Sequence, residues 1–233
     1  MFSQSARIYD LIYHFKDYRA EVDRITERIR QEHPSARSIL DVACGTGGHT
    51  RMLEEDFEVD GLDIEPAFVE IARRKLRRGT IHTGDMAGFD LGRRYDVVVC
   101  LFSSIGYLRE QERLVSALRS FGRHLHPNGL MMIEPWFTPE AWRVGSTHMQ
   151  TGEGDGIKVC RMCRSEQHGR ESFLRFHYLV ASPAGVEHFT EDHRLALRTV
   201  DEMTAAFQEA GLEVRYEPEG ITGRGLYVAR SRP

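Results

Sequence analysis

The residues best suited to chemistry stand close together early in the chain. Asp41-Val42-Ala43-Cys44-Gly45-Thr46-Gly47-Gly48 puts small residues into a turn that follows an apolar run and opens a helical one. Such a turn lets a ligand approach the backbone, and the helix amino terminus offers N–H donors to an anionic group or a carboxylate. A glycine turn alone is a weak signal, because many α/β proteins carry one for packing. Here it has company. Asp63 lies 63 − 41 = 22 residues after Asp41, at the end of the next apolar run, where a carboxylate can accept both hydroxyls of a ribose. Gly84-Asp85-Met86 and Phe102-Ser103-Ser104 follow the third and fourth runs. These run ends carry the residue types a nucleoside needs. A dinucleotide fingerprint requires a third glycine three residues after the second, and Thr50 occupies that place after Gly47, which disfavours a nicotinamide site.

Bringing these ends to one edge takes a mostly parallel sheet. Between residues 37 and 134, short β-rich apolar runs alternate with longer amphipathic stretches, the pattern of βα units. Strands are expected at 38–42, 59–63, 80–82, 95–101 and 130–134. Helices are expected at 48–55, at 66–76 with Pro66 in the first turn, and at 110–124, ended by Pro127-Asn128-Gly129. A further amphipathic helix at 20–30 leads into the first strand. The strands read as nearly continuous hydrophobics, DVVVCLF most plainly, as they should when helices cover both faces. After Glu134 the pattern changes: KVCRMCRSEQ, ESFLRFHYLVAS and EHFTEDHRLAL alternate apolar and polar residues like antiparallel strands, which reads as an inserted sheet. Helical periodicity returns at 200–210, opened by Thr199 and Glu202 as a capping box and closed by Gly211. Two last strands at 213–216 and 226–229 complete the first sheet in this reading.

Composition narrows the function classes. The chain has 233 residues, with 31 Lys and Arg against 35 Asp and Glu, a net charge of −4. No cationic excess awaits a polymer of phosphates or an anionic membrane, so a general nucleic-acid binder is not expected. Hydrophobic residues at 41% and charged residues at 28% fit a globular chain rather than a disordered or fibrous one. The most apolar run, 97–102, is one strand long, whereas a membrane helix takes about 20 residues. The amino end, MFSQSARIYD, lacks a basic stretch followed by an apolar one, so no secretory signal and a cytoplasmic location are expected. Four scattered cysteines suit a reducing compartment; Cys160 and Cys163 form a CxxC without a second ligand pair, so no metal is expected.

DVACGTG, GLDIEP, GDM and YDVVVCLFSS, in this order and spacing, resemble the class I S-adenosylmethionine-dependent methyltransferases. The resemblance implies an α/β fold: a Rossmann-like seven-stranded sheet with helices on both faces, plus the inserted antiparallel β-sheet. Residues 1–135 and 196–233 would form the S-adenosylmethionine-binding core, and 136–195 the substrate-binding insert. It also implies that Asp41, Ala43, Gly45 and Gly47 hold the methionine moiety, that Asp63 takes the ribose hydroxyls, that Asp85 meets the adenine amino group, and that Met86 and Leu101 flank its ring. Tyr9 and Ile64 join the same cofactor set. IYDLIY, KDY, LGRRYD, FSSIGYL, EPW, FHYLVA and TGRGLY further resemble the bacterial N,N-dimethyltransferases of nucleotide-linked (dTDP) deoxyamino sugars, over nearly the whole chain. That implies Tyr107 near the acceptor amine, Arg224 facing the substrate diphosphate, Trp136 lining the sugar pocket, and Phe2, Ser103, Arg175 and Tyr178 as further substrate contacts. Each has a plainer reading: Tyr107 as a packing residue opening a helix, Arg224 as a surface charge, Trp136 as an anchor for the insert. The chain departs from the family pattern in carrying one Trp, Trp136, where EPWW is usual, and Phe2 where some members have Tyr. The implied partner is a small molecule, with no nucleic acid and no membrane, and a homodimer is an option.

Methyl transfer from a sulfonium is an in-line displacement whose nucleophile needs an unshared lone pair, and alignment supplies much of the catalysis. Tyr107, with a usual pKa near 10, is a poor base at neutral pH and is assigned to positioning. His124 and His126 sit at the end of a helix that faces away from the cofactor edge, where a charge interaction with the helix terminus is expected. His177 and His193 on the insert are better placed, and Arg161, Arg164, Arg175 and Arg194 bring cations there that suit a diphosphate, or else a solvated strand face. The alternatives are the same transfer to another small-molecule or peptide-terminal nitrogen or oxygen, and a nucleotide-binding module or reductase without methyl transfer.

Overall fold

The computed structural model describes residues 4–231. In chain order, a 3-10 turn (Ala6–Ile8) leads into α1 (Tyr9–Ile12) and α2 (Tyr18–Glu32). There follow β1 (Ser38–Val42), α3 (Gly48–Leu53), β2 (Glu58–Asp63), α4 (Pro66–Lys75), β3 (Ile81–Thr83), β4 (Tyr95–Cys100), a 3-10 turn (Ser104–Tyr107), α5 (Gln111–Arg123) and β5 (Leu125–Ile133). Four long strands come next: β6 (Thr147–Gly154), β7 (Ile157–His168), β8 (Glu171–Ser182) and β9 (Gly185–Ala196). The chain closes with α6 (Val200–Glu209), β10 (Leu212–Glu217) and β11 (Leu226–Ser231).

Seven strands form one sheet in the order β10-β11-β5-β4-β1-β2-β3, with β11 antiparallel to both neighbours and β1 to β5 parallel. The chain runs outward through β2 and β3, then crosses back for β4 and β5. The order therefore reverses between β1 and β4, and a crevice opens at their carboxyl ends. Successive strand residues serve two cores: Val98, Cys100, Met131 and Ile133 pack with α5 and α6, while Val97, Val99, Leu130 and Met132 pack with α2 and α3. This division explains the unbroken apolar runs. Asp17 caps α2 by accepting the Ala20 N–H at 3.0 Å, which sets its start ahead of the expected residue 20. The Thr199–Glu202 capping box on α6 forms as read. Strand β5 begins at Leu125, paired with Tyr95, so Pro127-Asn128-Gly129 lies within an irregular strand and is not a loop before it.

The other four strands make an antiparallel sheet ordered β6-β7-β8-β9. Its inner face buries Val159, Leu174, Phe176, Tyr178 and Val180 against Ile8 and Ile12. The packing is close: a Cβ on Gly152 would lie 2.1 Å from the Leu11 carbonyl oxygen, so only glycine fits there. Helix α1 has four residues, too few for periodicity to reveal. Among the described residues, no helix is long and apolar enough to cross a membrane.

Candidate active site

Past the end of β1 the chain turns through Ala43 (φ 58°), Gly45 (56°) and Gly47 (77°) into α3. A left-handed alanine is uncommon, and such strain is held where surrounding structure over-determines it. Asp63 does this from β2: one carboxylate oxygen accepts the Gly45 N–H at 2.8 Å and the other the Glu65 N–H at 2.9 Å. Beneath the loop, Asp41 is buried and accepts the Thr50 hydroxyl at 2.7 Å. Burial pushes the Asp41 carboxyl up to about 6, and burial also raises that of Asp63. Phe102 (φ 52°) and Ser103 (64°) repeat the left-handed turn after β4. Buried Glu134, past the end of β5, accepts the Phe102 N–H at 2.6 Å and the Thr222 hydroxyl, tying two loops together.

A cavity of about 780 Å³ lies over this edge, within the roughly 300–1,000 Å³ usual for ligand sites. Its floor is the loop after β1 with Asp63, Ile64, Met86 and Leu101; its roof is the inner face of the insert. The amino-terminal segment spans the two. Ser5 donates its hydroxyl to Glu191 at 2.6 Å on the insert side, while Asp10 accepts the Thr46 hydroxyl and the Lys75 ammonium, each at 2.6 Å, on the other. Tyr9 and Tyr13 from this segment line the cavity. Lys16, Glu21 and His49 form a largely buried cluster on its wall, with His49 Nε2 2.8 Å from Glu21. Burial raises the Glu21 carboxyl, but hydrogen bonds from His49 and Lys16 outweigh it and hold the group below its ordinary range.

Aromatic rings dominate the wall beside this cluster, where the Lys16 ammonium lies 4.3 Å from the Phe102 ring. The Arg224 guanidinium lies 5.4 Å from the Phe102 ring, 5.8 Å from Trp136 and 5.4 Å from Phe137, and it donates to Ser103 Oγ at 3.2 Å. Trp136 is oriented by donating its indole N–H to Ser172 at 2.9 Å. Also on the cavity wall, the Tyr107 hydroxyl lies 2.7 Å from His193 Nδ1. Arg161 is buried, donates to the Tyr13 hydroxyl at 2.8 Å and to Gln150 at 2.7 Å, and covers the Phe176 ring.

The structure thus brings Tyr9, Asp41, Ala43, Gly45, Asp63, Ile64, Met86, Leu101, Tyr107, Trp136 and Arg224 to one cavity. Five other expected residues stand off its wall. Gly47 serves packing: its Cβ would meet that of Ala72 in α4 at 3.1 Å. Asp85 is held by the Ala87 N–H at 2.9 Å and by Arg113 at 2.7 Å. Ser103 is buried and supports Arg224 from behind, while Ser104 reaches the wall. Tyr178 is buried in the core of the insert, stacked on Phe189. Arg175 lies on the outward face of β8, in an exposed bidentate pair with Asp192 at 2.7 and 2.8 Å. The alternation of the strand decides this, since Phe176, one residue on, is the one that faces in. Arg164 and Arg194 are likewise exposed, so Arg161 alone of the four arginines lines the cavity. His177 stacks on His188 at the surface. His124 stands at the end of α5, as expected, where its ring accepts the Leu91 N–H at Nε2 and bonds the Ser120 carbonyl through Nδ1, a buried crosslink. Tyr107 ends a 3-10 turn rather than opening α5. Phe2 lies outside the described residues. The cavity also takes Tyr13, Lys16, Glu21, His49, Phe102 and Phe137, which the sequence did not single out; of these, Tyr13, Lys16 and Phe102 stand inside the motifs IYDLIY, KDY and FSSIGYL.

Residues 39–129 match the family model described as a methyltransferase domain. The chain is 42% identical over 227 residues to the dTDP-3-amino-3,6-dideoxy-alpha-D-glucopyranose N,N-dimethyltransferase of Streptomyces fradiae, covering 96% of this chain and 89% of the relative. The crystal structure of DesVI from Streptomyces venezuelae superposes with a TM-score of 0.92 at 40% identity, covering 98% of this chain and 99% of that one. This chain belongs to the sugar N-methyltransferase family of S-adenosylmethionine-dependent methyltransferases. An amino pentose methyltransferase from Micromonospora echinaspora, solved with S-adenosylmethionine bound, matches with a TM-score of 0.83 at 36% identity over 93% of this chain and 92% of that one. S-adenosylmethionine is the methyl donor. The residues present fit it: a loop of small residues at a helix amino terminus, an adjacent buried carboxylate in Asp63, apolar Met86 and Leu101, and a charged cluster suited to an amino-acid end. When bound, this donor supplies an electrophilic methyl group on a sulfonium.

Proposed function

We propose that this methyltransferase N,N-dimethylates the amino group of a dTDP-linked deoxyamino sugar. The observation that carries the reading is identity at 42% along 96% of the chain to an enzyme of that activity, so that the likeness includes the insert as well as the cofactor half. In this reading residues 136–195 are the substrate cover and the remainder is the cofactor core. The loop 41–47 holds the methionine moiety, Asp63 the ribose, and Met86 and Leu101 the adenine. Arg224 meets the diphosphate and Trp136 borders the sugar.

The amine and the methyl group must meet in line, and holding them so removes much of the entropic barrier. Burial raises the Tyr107 hydroxyl well above its ordinary value, so it stays protonated at neutral pH and serves as a hydrogen-bond partner, not as an anionic base. Its oxygen accepts an N–H of the amine and so turns the nitrogen lone pair toward the donor. A neutral primary amine offers two N–H groups; once the ammonium formed by the first transfer has given a proton to water, the monomethyl amine offers one, and the neutral dimethyl product offers none. The same contact therefore serves both transfers and then lapses. The reading includes a cytoplasmic homodimer, supported by exposed Met149, Met162, Leu179 and Val186 on the insert; sedimentation at a monomer's mass would remove the dimer. Incubation with labelled S-adenosylmethionine and dTDP-amino sugars, beside peptide and phenolic acceptors, tests the substrate. Label is expected on the sugar nitrogen, and label confined to the other acceptors overturns the reading.

A further inference from the structure

The hydroxyl of Tyr107 has one hydrogen and can rotate it toward the cavity or away. The direction matters, because an O–H pointed at the acceptor amine would occupy the lone pair that must attack the methyl group. Two residues of β9 bear on that choice. His193 is buried beside the Phe176 ring, with centroids 4.9 Å apart, and its Nδ1 lies 2.7 Å from the Tyr107 oxygen. Its Nε2 lies 3.8 Å from a carboxylate oxygen of Glu191. Glu191 is itself fixed, accepting the Ser5 hydroxyl at 2.6 Å and the backbone N–H groups of Ser5 and Gln4 at 3.1 and 3.2 Å. A carboxylate on the Nε2 side favours the tautomer with its hydrogen there, which leaves Nδ1 as an acceptor.

We infer that His193 is a positioning residue for methyl transfer: it takes the hydroxyl hydrogen of Tyr107, so that the phenol presents oxygen lone pairs to the acceptor amine. The inference rests on the proposed amine acceptor but concerns a pair, Tyr107 and His193, that are 86 residues apart in the chain. Glu191 and Ser5 extend it, because the amino-terminal segment that closes the cavity also holds the carboxylate behind the imidazole.

A double-mutant cycle on the full chain tests it. His193→Leu is expected to lower kcat about tenfold, the scale of one lost hydrogen bond, with little change in KM for the sugar and unchanged affinity for S-adenosylmethionine by calorimetry. Combined with Tyr107→Phe, it should cost nothing beyond Tyr107→Phe alone. His193→Asn, whose amide oxygen can stand near Nδ1, should recover most of the rate, while His193→Gln should not. A His193→Leu variant at full rate, effects that multiply in the double variant, or equal rates for Asn and Gln overturn the inference. The Asn and Gln pair decides if the Leu variant fails to fold. The contact is also read without turnover: the ¹⁵N resonance of His193 Nδ1 should shift in Tyr107→Phe, and an unmoved resonance rejects the pairing. Wild-type chain that methylates no amino sugar fails the substrate reading instead.

Discussion

Asp63 at the end of β2 accepts the backbone N–H of Gly45, in the loop after β1, at 2.8 Å. One carboxylate thus fixes the cradle and, in the proposed role, meets the ribose. Asp63→Ala is expected to weaken S-adenosylmethionine binding by tenfold or more, since it removes a charge-assisted hydrogen bond as well as the loop's anchor. Calorimetric titration checks this; unchanged affinity removes the ribose assignment.

Asp41 gives a pH dependence. Its carboxyl titrates near 6 in the folded chain because of burial, above the roughly 3.9 of an exposed aspartate. The folded state then binds the proton more tightly than the unfolded one. The resulting stabilisation is complete below about pH 4 and is lost as pH rises through about 6. Asp41→Asn, which keeps a partner for Thr50, removes that dependence. The variant should gain on the wild type between pH 4 and pH 7, by at most about 3 kcal/mol. Urea denaturation across that range, without S-adenosylmethionine, measures the difference.

Arg224 and Arg175 make opposite predictions, since one lines the cavity between aromatic rings and the other pairs with Asp192 at the surface. Arg224→Ala should raise KM for the sugar nucleotide at least tenfold and leave S-adenosylmethionine affinity intact. Arg224→Lys should restore only part of it, because an ammonium lacks the planar fork that stacks on rings and reaches Ser103. Arg175→Ala should leave both constants within about twofold, because a solvated surface pair contributes little. Steady-state kinetics of the three variants separates them.

Gly47 is a stability site. A side chain there must adopt φ near 77° and bring its Cβ to 3.1 Å from that of Ala72. Gly47→Ala should cost about 1–2 kcal/mol from the backbone alone, with crowding in addition. A fall in Tm of at least about 2–4 °C, read by calorimetry, is expected for a chain of this length.

The cofactor half was legible from the sequence because parallel βα units bring the ends of successive apolar runs to one edge, whatever the details of packing. Asp41, Asp63, Met86 and Leu101 reach a common cavity for that reason. Only the tertiary structure decided the insert. With a period of two, residues 175 and 176 point to opposite faces and Arg161 pairs with Tyr178, but which of the two parities is buried is set by what the sheet packs against. That is why Arg161 faces the cavity while Arg175 faces solvent. Helix α1 was not legible because four residues hold no period, although Tyr9 within it was; burial of Ile8 and Ile12 on the insert orders the segment. Tyr107 was visible as a residue, but the hydrogen it carries is governed by His193 of β9, 86 residues away, and no local pattern records which distant side chains meet. Strand-end chemistry is written in sequence order, whereas the facing of side chains across a cavity arises only once the two sheets are packed.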